Sequence, residues 1–140
     1  MKKRPGVLII EDEAPIRSLI RRALEPGYQV YESPDGTDGL KQARWVQPDL
    51  ILLDLRMPGL DGLTVLAKLK ADRKTAAIPL VIVSGRGETD LLIEGQRMGA
   101  VDHIIKPFGV EELRGVIKRQ LALRGDARPT DATEGGPTDL

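Results

Sequence analysis

Four short apolar runs in this chain each stop at a polar residue. Val-Leu-Ile-Ile (7–10) leads into Glu11-Asp12, and Leu-Ile-Leu-Leu (50–53) into Asp54. Leu-Val-Ile-Val (80–83) leads into Ser84, and His-Ile-Ile (103–105) into Lys106-Pro107. Short apolar runs without alternation read as strands buried on both faces of a parallel sheet. Ligands of such sheets sit beyond the carboxyl ends of the strands. The pattern therefore sends three acids, one hydroxyl and one ammonium group into a single crevice. That set suits a divalent cation and a phosphoryl group.

The segments between the runs read as helices, so strand and helix alternate and βαβ units are expected. A first helix over about 15–25 has Pro15 at its start, where a missing N–H does no harm. Ile16, Leu19, Ile20, Ala23 and Leu24 form its core-facing stripe, and Pro26-Gly27 ends it. The second strand, Tyr28–Glu32, is more polar and belongs nearer a sheet edge. Pro34-Asp35-Gly36 is a turn signal, and a second helix over about 37–46 ends before Pro48. Asp61 is placed to cap a third helix over about 62–71. A fourth helix starts at Glu88 or Thr89 and closes at Gly99 as a left-handed residue. A fifth helix over about 110–123 turns Leu113, Val116, Ile117 and Leu121 to one side. Five strand–helix pairs use the chain to Arg124, giving one domain over 1–124. Residues 125–140 are rich in Gly, Pro, Thr and Asp and read as a disordered tail or linker.

Composition narrows the chemistry. There is no cysteine among the 140 residues, so disulfides, thiol catalysis and zinc–thiolate sites are excluded. One histidine cannot build a His-rich metal site. Basic and acidic residues number 21 each, so no overall charge draws the chain to nucleic acid or membrane. Val7–Ile10 is too short for a signal-peptide core or a membrane span, and the expected location is the cytoplasm.

Glu11, Asp12 and Asp54 would repel one another unless one takes up a proton or a cation neutralises them. An all-oxygen donor set favours a hard ion, Mg²⁺ or Mn²⁺. Asp54, on the central strand, is the natural nucleophile for an acyl phosphate. Phosphoryl transfer needs positioning and charge neutralisation above all. Lys106 would meet one phosphoryl oxygen and the Ser84 hydroxyl another. A cis bond at Lys106-Pro107 is expected, X–Pro being where such bonds occur.

The chain resembles a receiver domain of the two-component response-regulator family, of the chemotaxis-protein Y kind, over roughly residues 6–122. The resemblance rests on Val-Leu-Ile-Ile-Glu-Asp-Glu (7–13), Tyr28 to Gly36, Pro48 to Asp54, Met57-Pro58-Gly59-Leu-Asp-Gly62, Val83-Ser84, Gly99-Ala100 and Lys106-Pro107-Phe108, in order and at this spacing. It implies a (βα)₅ flavodoxin-like, doubly wound parallel sheet in the order 2-1-3-4-5. It implies that Asp54 accepts a phosphoryl group from a histidine kinase or histidine phosphotransfer protein. Glu11 and Asp12 match the family's acidic pair, the Arg56 carbonyl completes the metal shell, Ser84 is the switch hydroxyl and Lys106 the family's lysine. The switch would remodel the face of the fourth helix, fifth strand and fifth helix for an output protein that the sequence does not name. The implied role is a signalling switch, which catalyses only its own phosphorylation and dephosphorylation.

Three positions depart from the family's pattern. Glu11 stands where Asp is more frequent, and one extra methylene still permits a water-mediated metal contact. Gly85 replaces Ala after the switch hydroxyl and adds backbone freedom. His103 replaces the switch aromatic and serves either as a spacer or as a pH-sensitive group. Arg56 and Arg86, each two residues past a site residue, either shield the acyl phosphate from water or are solvated. Two further readings compete: a receiver-like interaction module that works without phosphorylation, and a Mg²⁺-dependent phosphatase of the haloacid-dehalogenase class. The latter needs an acid at position 56, where this chain has arginine. A flavin- or nucleotide-binding domain lacks its glycine-rich loop after the first strand. No helix-turn-helix follows the fifth helix, so direct nucleic-acid binding is not expected. A single-domain regulator acting through a protein partner is the favoured organisation.

Overall fold

The computed structural model describes residues 4–127. Five strands and five helices alternate: β1 Gly6–Ile10, α1 Ala14–Leu24, β2 Gln29–Ser33, α2 Gly36–Val46, β3 Leu50–Asp54, α3 Gly62–Ala71, β4 Leu80–Gly85, α4 Thr89–Arg97, β5 Asp102–Lys106 and α5 Val110–Ala127. All strand pairs are parallel, in the order β2-β1-β3-β4-β5. The expected doubly wound sheet is thus present, with the polar strand β2 at one edge. The helix α5 runs three residues past the boundary read at 124, and the rest of the tail assignment for 125–140 lies outside the described residues.

Alternation along each strand divides the apolar residues between two cores. Val7, Ile9, Leu50, Leu52, Val81, Val83 and Ile104 face one side, under Ile20 and Leu24 of α1 and Leu113 and Ile117 of α5. Leu8, Ile10, Ile51, Leu53, Leu80 and Ile82 face the other, under Ala43 of α2 and Val65, Leu66 and Leu69 of α3. Every residue of β1 and β3 is buried, which explains why these strands carry no alternation in sequence. Leu19, expected in the α1 stripe, is 40% exposed because it falls on the flank of the stripe rather than its centre.

Turn chemistry places the helices that frame the crevice. Asp61 caps α3 by accepting the Thr64 N–H at 2.9 Å, as its position suggested. Asp35, read as part of a turn, also caps α2, accepting the Asp38 N–H at 2.8 Å. Pro15 lies in the first turn of α1, and Gly99, at φ +118°, follows α4 in the left-handed region. A Cβ on Gly62 would lie 2.4 Å from Leu55 Cα and 2.7 Å from the Asp54 carbonyl. Only glycine allows α3 to start this close to the end of β3. Among the described residues, no helix is long and apolar enough to cross a membrane.

Candidate functional site

The strand register brings the polar strand ends together. Ile10 pairs with Leu53, so Glu11 follows β1 beside Asp54 at the end of β3. Asp54 pairs with Val83, Ser84 with Ile105 and Gly85 with Lys106. Glu11 and Asp54 are buried despite their charge, and Asp12 is half-buried. Oxygens of these three carboxylates lie within 4.8 Å of one another.

Lys106 is the cation of the crevice. Its Nζ lies 3.3 Å from Asp54 Oδ2, 3.2 Å from Glu11 Oε1 and 3.9 Å from Glu13 Oε1. It precedes Pro107 across the cis peptide bond that the sequence suggested. The backbone supplies two more donors: the Arg56 N–H reaches Asp54 Oδ1 at 3.1 Å, and the Glu13 N–H reaches Glu11 Oε2 at 3.1 Å. The Arg17 guanidinium donates to the Glu11 carbonyl at 2.7 Å and fixes the backbone where β1 ends.

One ammonium cannot fully offset this much buried negative charge. Burial, joined by repulsion from Asp54, pushes the Glu11 carboxyl from 4.5 up to about 7, against the pull of the Glu13 N–H and Lys106. Burial also raises Asp54, opposed by the Arg56 N–H and Lys106. Burial alone would lower Lys106, but the Asp54 and Glu11 carboxylates overcome it and hold the ammonium above its usual range. Among the described residues, two buried side-chain oxygens make no hydrogen bond, Ser84 Oγ and Glu11 Oε1, and Glu11 Oε1 has only its ion pair with Lys106. A buried oxygen with no partner at all is uncommon in folded proteins, and Ser84 Oγ belongs to the crevice. Three converging carboxylates, one of them held above its usual range by burial and by its neighbour Asp54, fit a hard cation.

The remaining candidates spread outward. The His103 ring is half-buried on β5, with Nδ1 3.2 Å from Gln96 Nε2 of α4. Arg86 is exposed. Arg56 is also exposed, yet its side chain is engaged: Nε donates to Glu88 Oε2 at 2.7 Å. The other Glu88 oxygen accepts the Gly85 N–H at 2.9 Å. Glu88 was legible in sequence only as a helix start. Its partner Arg56 lies 32 positions away, and no local spacing announces the pair.

Comparison with known proteins agrees with this geometry. The sequence profile of the response regulator receiver domain matches residues 7–118. The chain is 38% identical over 141 residues to the DNA-binding dual master transcriptional regulator RpaA of Synechocystis, covering 97% of this chain and 58% of RpaA. It is 33% identical to the sporulation initiation phosphotransferase F of Bacillus subtilis, over 86% of this chain and 96% of that one. It is 41% identical to the phosphate regulon regulator PhoB of Pseudomonas aeruginosa, over 85% of this chain and 52% of PhoB. The chain thus spans little more than half the length of the two transcriptional regulators. Among solved structures, a response regulator from Chloroflexus aurantiacus superposes with a TM-score of 0.82 at 29% identity, over 86% of this chain and 99% of that one. The chemotaxis protein CheY4 of Vibrio cholerae gives 0.79 at 25%, over 84% and 98%. With an open parallel sheet, acids at the ends of β1 and β3, and a lysine reaching them from β5, the chain belongs to the response-regulator receiver family.

Proposed function

We propose that Asp54 accepts a phosphoryl group from the phosphohistidine of a histidine kinase or phosphotransfer protein. The observation that carries this reading is the contact of Lys106 Nζ with Asp54 and Glu11 in one buried crevice, 3.3 and 3.2 Å away. An Asp54 oxygen attacks phosphorus, the P–N bond breaks, and its electron pair stays with the donor imidazole, which takes up a proton. The Arg56 N–H holds Asp54 Oδ1 and so fixes the plane of the attacking carboxylate. Lys106 neutralises charge on the transferring group. Ser84, whose hydroxyl is buried without a partner, donates to a phosphoryl oxygen once one arrives. Asp12, Asp54, Glu11 and the Arg56 carbonyl would hold Mg²⁺, which supplies charge neutralisation for the phosphoryl oxygens.

The acyl phosphate then adds negative charge beside Ser84 and Lys106. Both lie on strands next to α4 and α5, so the new charge biases the α4–β5–α5 face toward a form that binds an output protein. His103, bonded to Gln96 of α4, lies on that route. The protein acts as a switch in the cytoplasm. The test is intact mass after incubation with Mg²⁺ and acetyl phosphate. One phosphoryl group is expected on the wild type and none on Asp54→Ala. Modification of both proteins, or of neither, contradicts the assignment.

A further inference from the structure

Glu88 occupies a position that its role in α4 does not explain. It precedes α4, and its backbone carbonyl accepts the Leu92 N–H, but its carboxylate makes no capping bond to the helix. The carboxylate turns back toward the crevice instead. It takes the Gly85 N–H on one oxygen and the Arg56 guanidinium on the other, at 2.9 and 2.7 Å. Its side chain is only 15% exposed although it is charged. Both donors border the acceptor. Arg56 binds Asp54 Oδ1 through its own N–H, and Gly85 directly follows the switch hydroxyl of Ser84. Gly85 also pairs in register with Lys106.

We propose that Glu88 is an internal competitor for the phosphoryl group. In the unphosphorylated protein its carboxylate engages an N–H and a guanidinium that a phosphoryl group on Asp54 would otherwise recruit. The inference rests on Asp54 being the acceptor. An anion on Asp54 must draw these donors from Glu88, so Glu88 opposes phosphorylation, and its release frees the loop between β4 and α4. Glu88 is a positioning residue: it acts through Arg56 and Gly85. The pair tethers the loop after β3 to the start of α4, and its exchange for a phosphoryl group couples chemistry at Asp54 to the α4 end of the output face. No covalent step is added to the transfer already described.

The test is the rate of phosphorylation by acetyl phosphate with Mg²⁺, read by intact mass, for wild type, Glu88→Gln, Arg56→Ala and the double variant. Glutamine keeps the shape and can still accept the Gly85 N–H, so the fold is retained, which a urea titration checks. Glu88→Gln is expected to react about ten-fold faster, the equivalent of one charge-assisted hydrogen bond. In the Arg56→Ala background the gain should shrink to about two-fold or less, because one of the two donors in dispute is gone. Affinity for beryllium trifluoride should rise in parallel with the rate. An equal gain in both backgrounds makes Glu88 a simple repelling charge and overturns the proposal. So does an unchanged rate in Glu88→Gln while the wild type is phosphorylated on Asp54. Failure of the wild type itself to react with acetyl phosphate or a phosphohistidine donor overturns the acceptor assignment, and this proposal with it.

Discussion

Replacing Glu11 with glutamine is expected to stabilise the metal-free protein at pH 8 and to do little at pH 5. In the folded chain, burial and the neighbouring Asp54 move the Glu11 carboxyl from 4.5 to about 7. A carboxyl raised in this way contributes stability below its unfolded value, and that contribution is lost as pH rises through the folded value. Wild type should therefore weaken between pH 4.5 and pH 7, the opposite of the usual salt-bridged acid. Each pH unit of displacement is worth about 1.36 kcal/mol, so ionised Glu11 costs about 3 kcal/mol at pH 8 and less than about 1 kcal/mol at pH 5. The Glu11 side chain is 2% exposed, so solvent does little to screen this cost. Glutamine removes the charge and keeps an acceptor for the Glu13 N–H, which bonds Glu11 Oε2. The assay is urea unfolding of both proteins in EDTA at the two pH values. A gain of about 2–3 kcal/mol at pH 8 that fades at pH 5 is the expected result. Equal stability at both pH values, or a loss at pH 8, would refute the reasoning that burial and like charge dominate at Glu11.

Three other outcomes follow from the same crevice. Mg²⁺ binding should release about half a proton at pH 7, because Glu11 is about half protonated there. Calorimetry in buffers of different ionisation heat reads that number, and affinity should rise from pH 6 to pH 8. Lys106→Met leaves Glu11 and Asp54 without their ammonium partner. It should cost about 2 kcal/mol at pH 8, with a smaller loss at pH 5, in the same unfolding assay. Gly62→Ala forces a Cβ against Leu55 Cα and the Asp54 carbonyl. It should destabilise by at least about 2 kcal/mol and slow phosphorylation, because relief of the clash shifts the end of β3.

The strand ends were readable because a buried parallel strand has no polar face to confuse the pattern. Val7–Ile10 and Leu50–Leu53 are apolar throughout, so the first polar residue after each marks the crevice. Asp61 as a cap, Gly99 as a helix stop and the Lys106-Pro107 cis bond were local features and equally legible. What could not be read depends on distance across the fold. The Arg56–Glu88 pair joins two loops that approach only once β3 and β4 have paired. The chemical state of Glu11 depends on its depth and on the angle of Lys106, neither of which spacing encodes. Asp35 was readable as a turn but not as a cap, because turn and cap use the same residue types.

The central claim is that Asp54 becomes an acyl phosphate. Borohydride reduction of the phosphorylated protein, followed by peptide mass spectrometry, tests it most directly, because reduction converts an aspartyl phosphate to homoserine at the modified position. Homoserine at position 54, dependent on Mg²⁺ and lost in Lys106→Met, is the expected result. Homoserine at position 12, the corresponding alcohol at position 11, or a stable phosphate on Ser84 with Asp54 intact, would contradict the account.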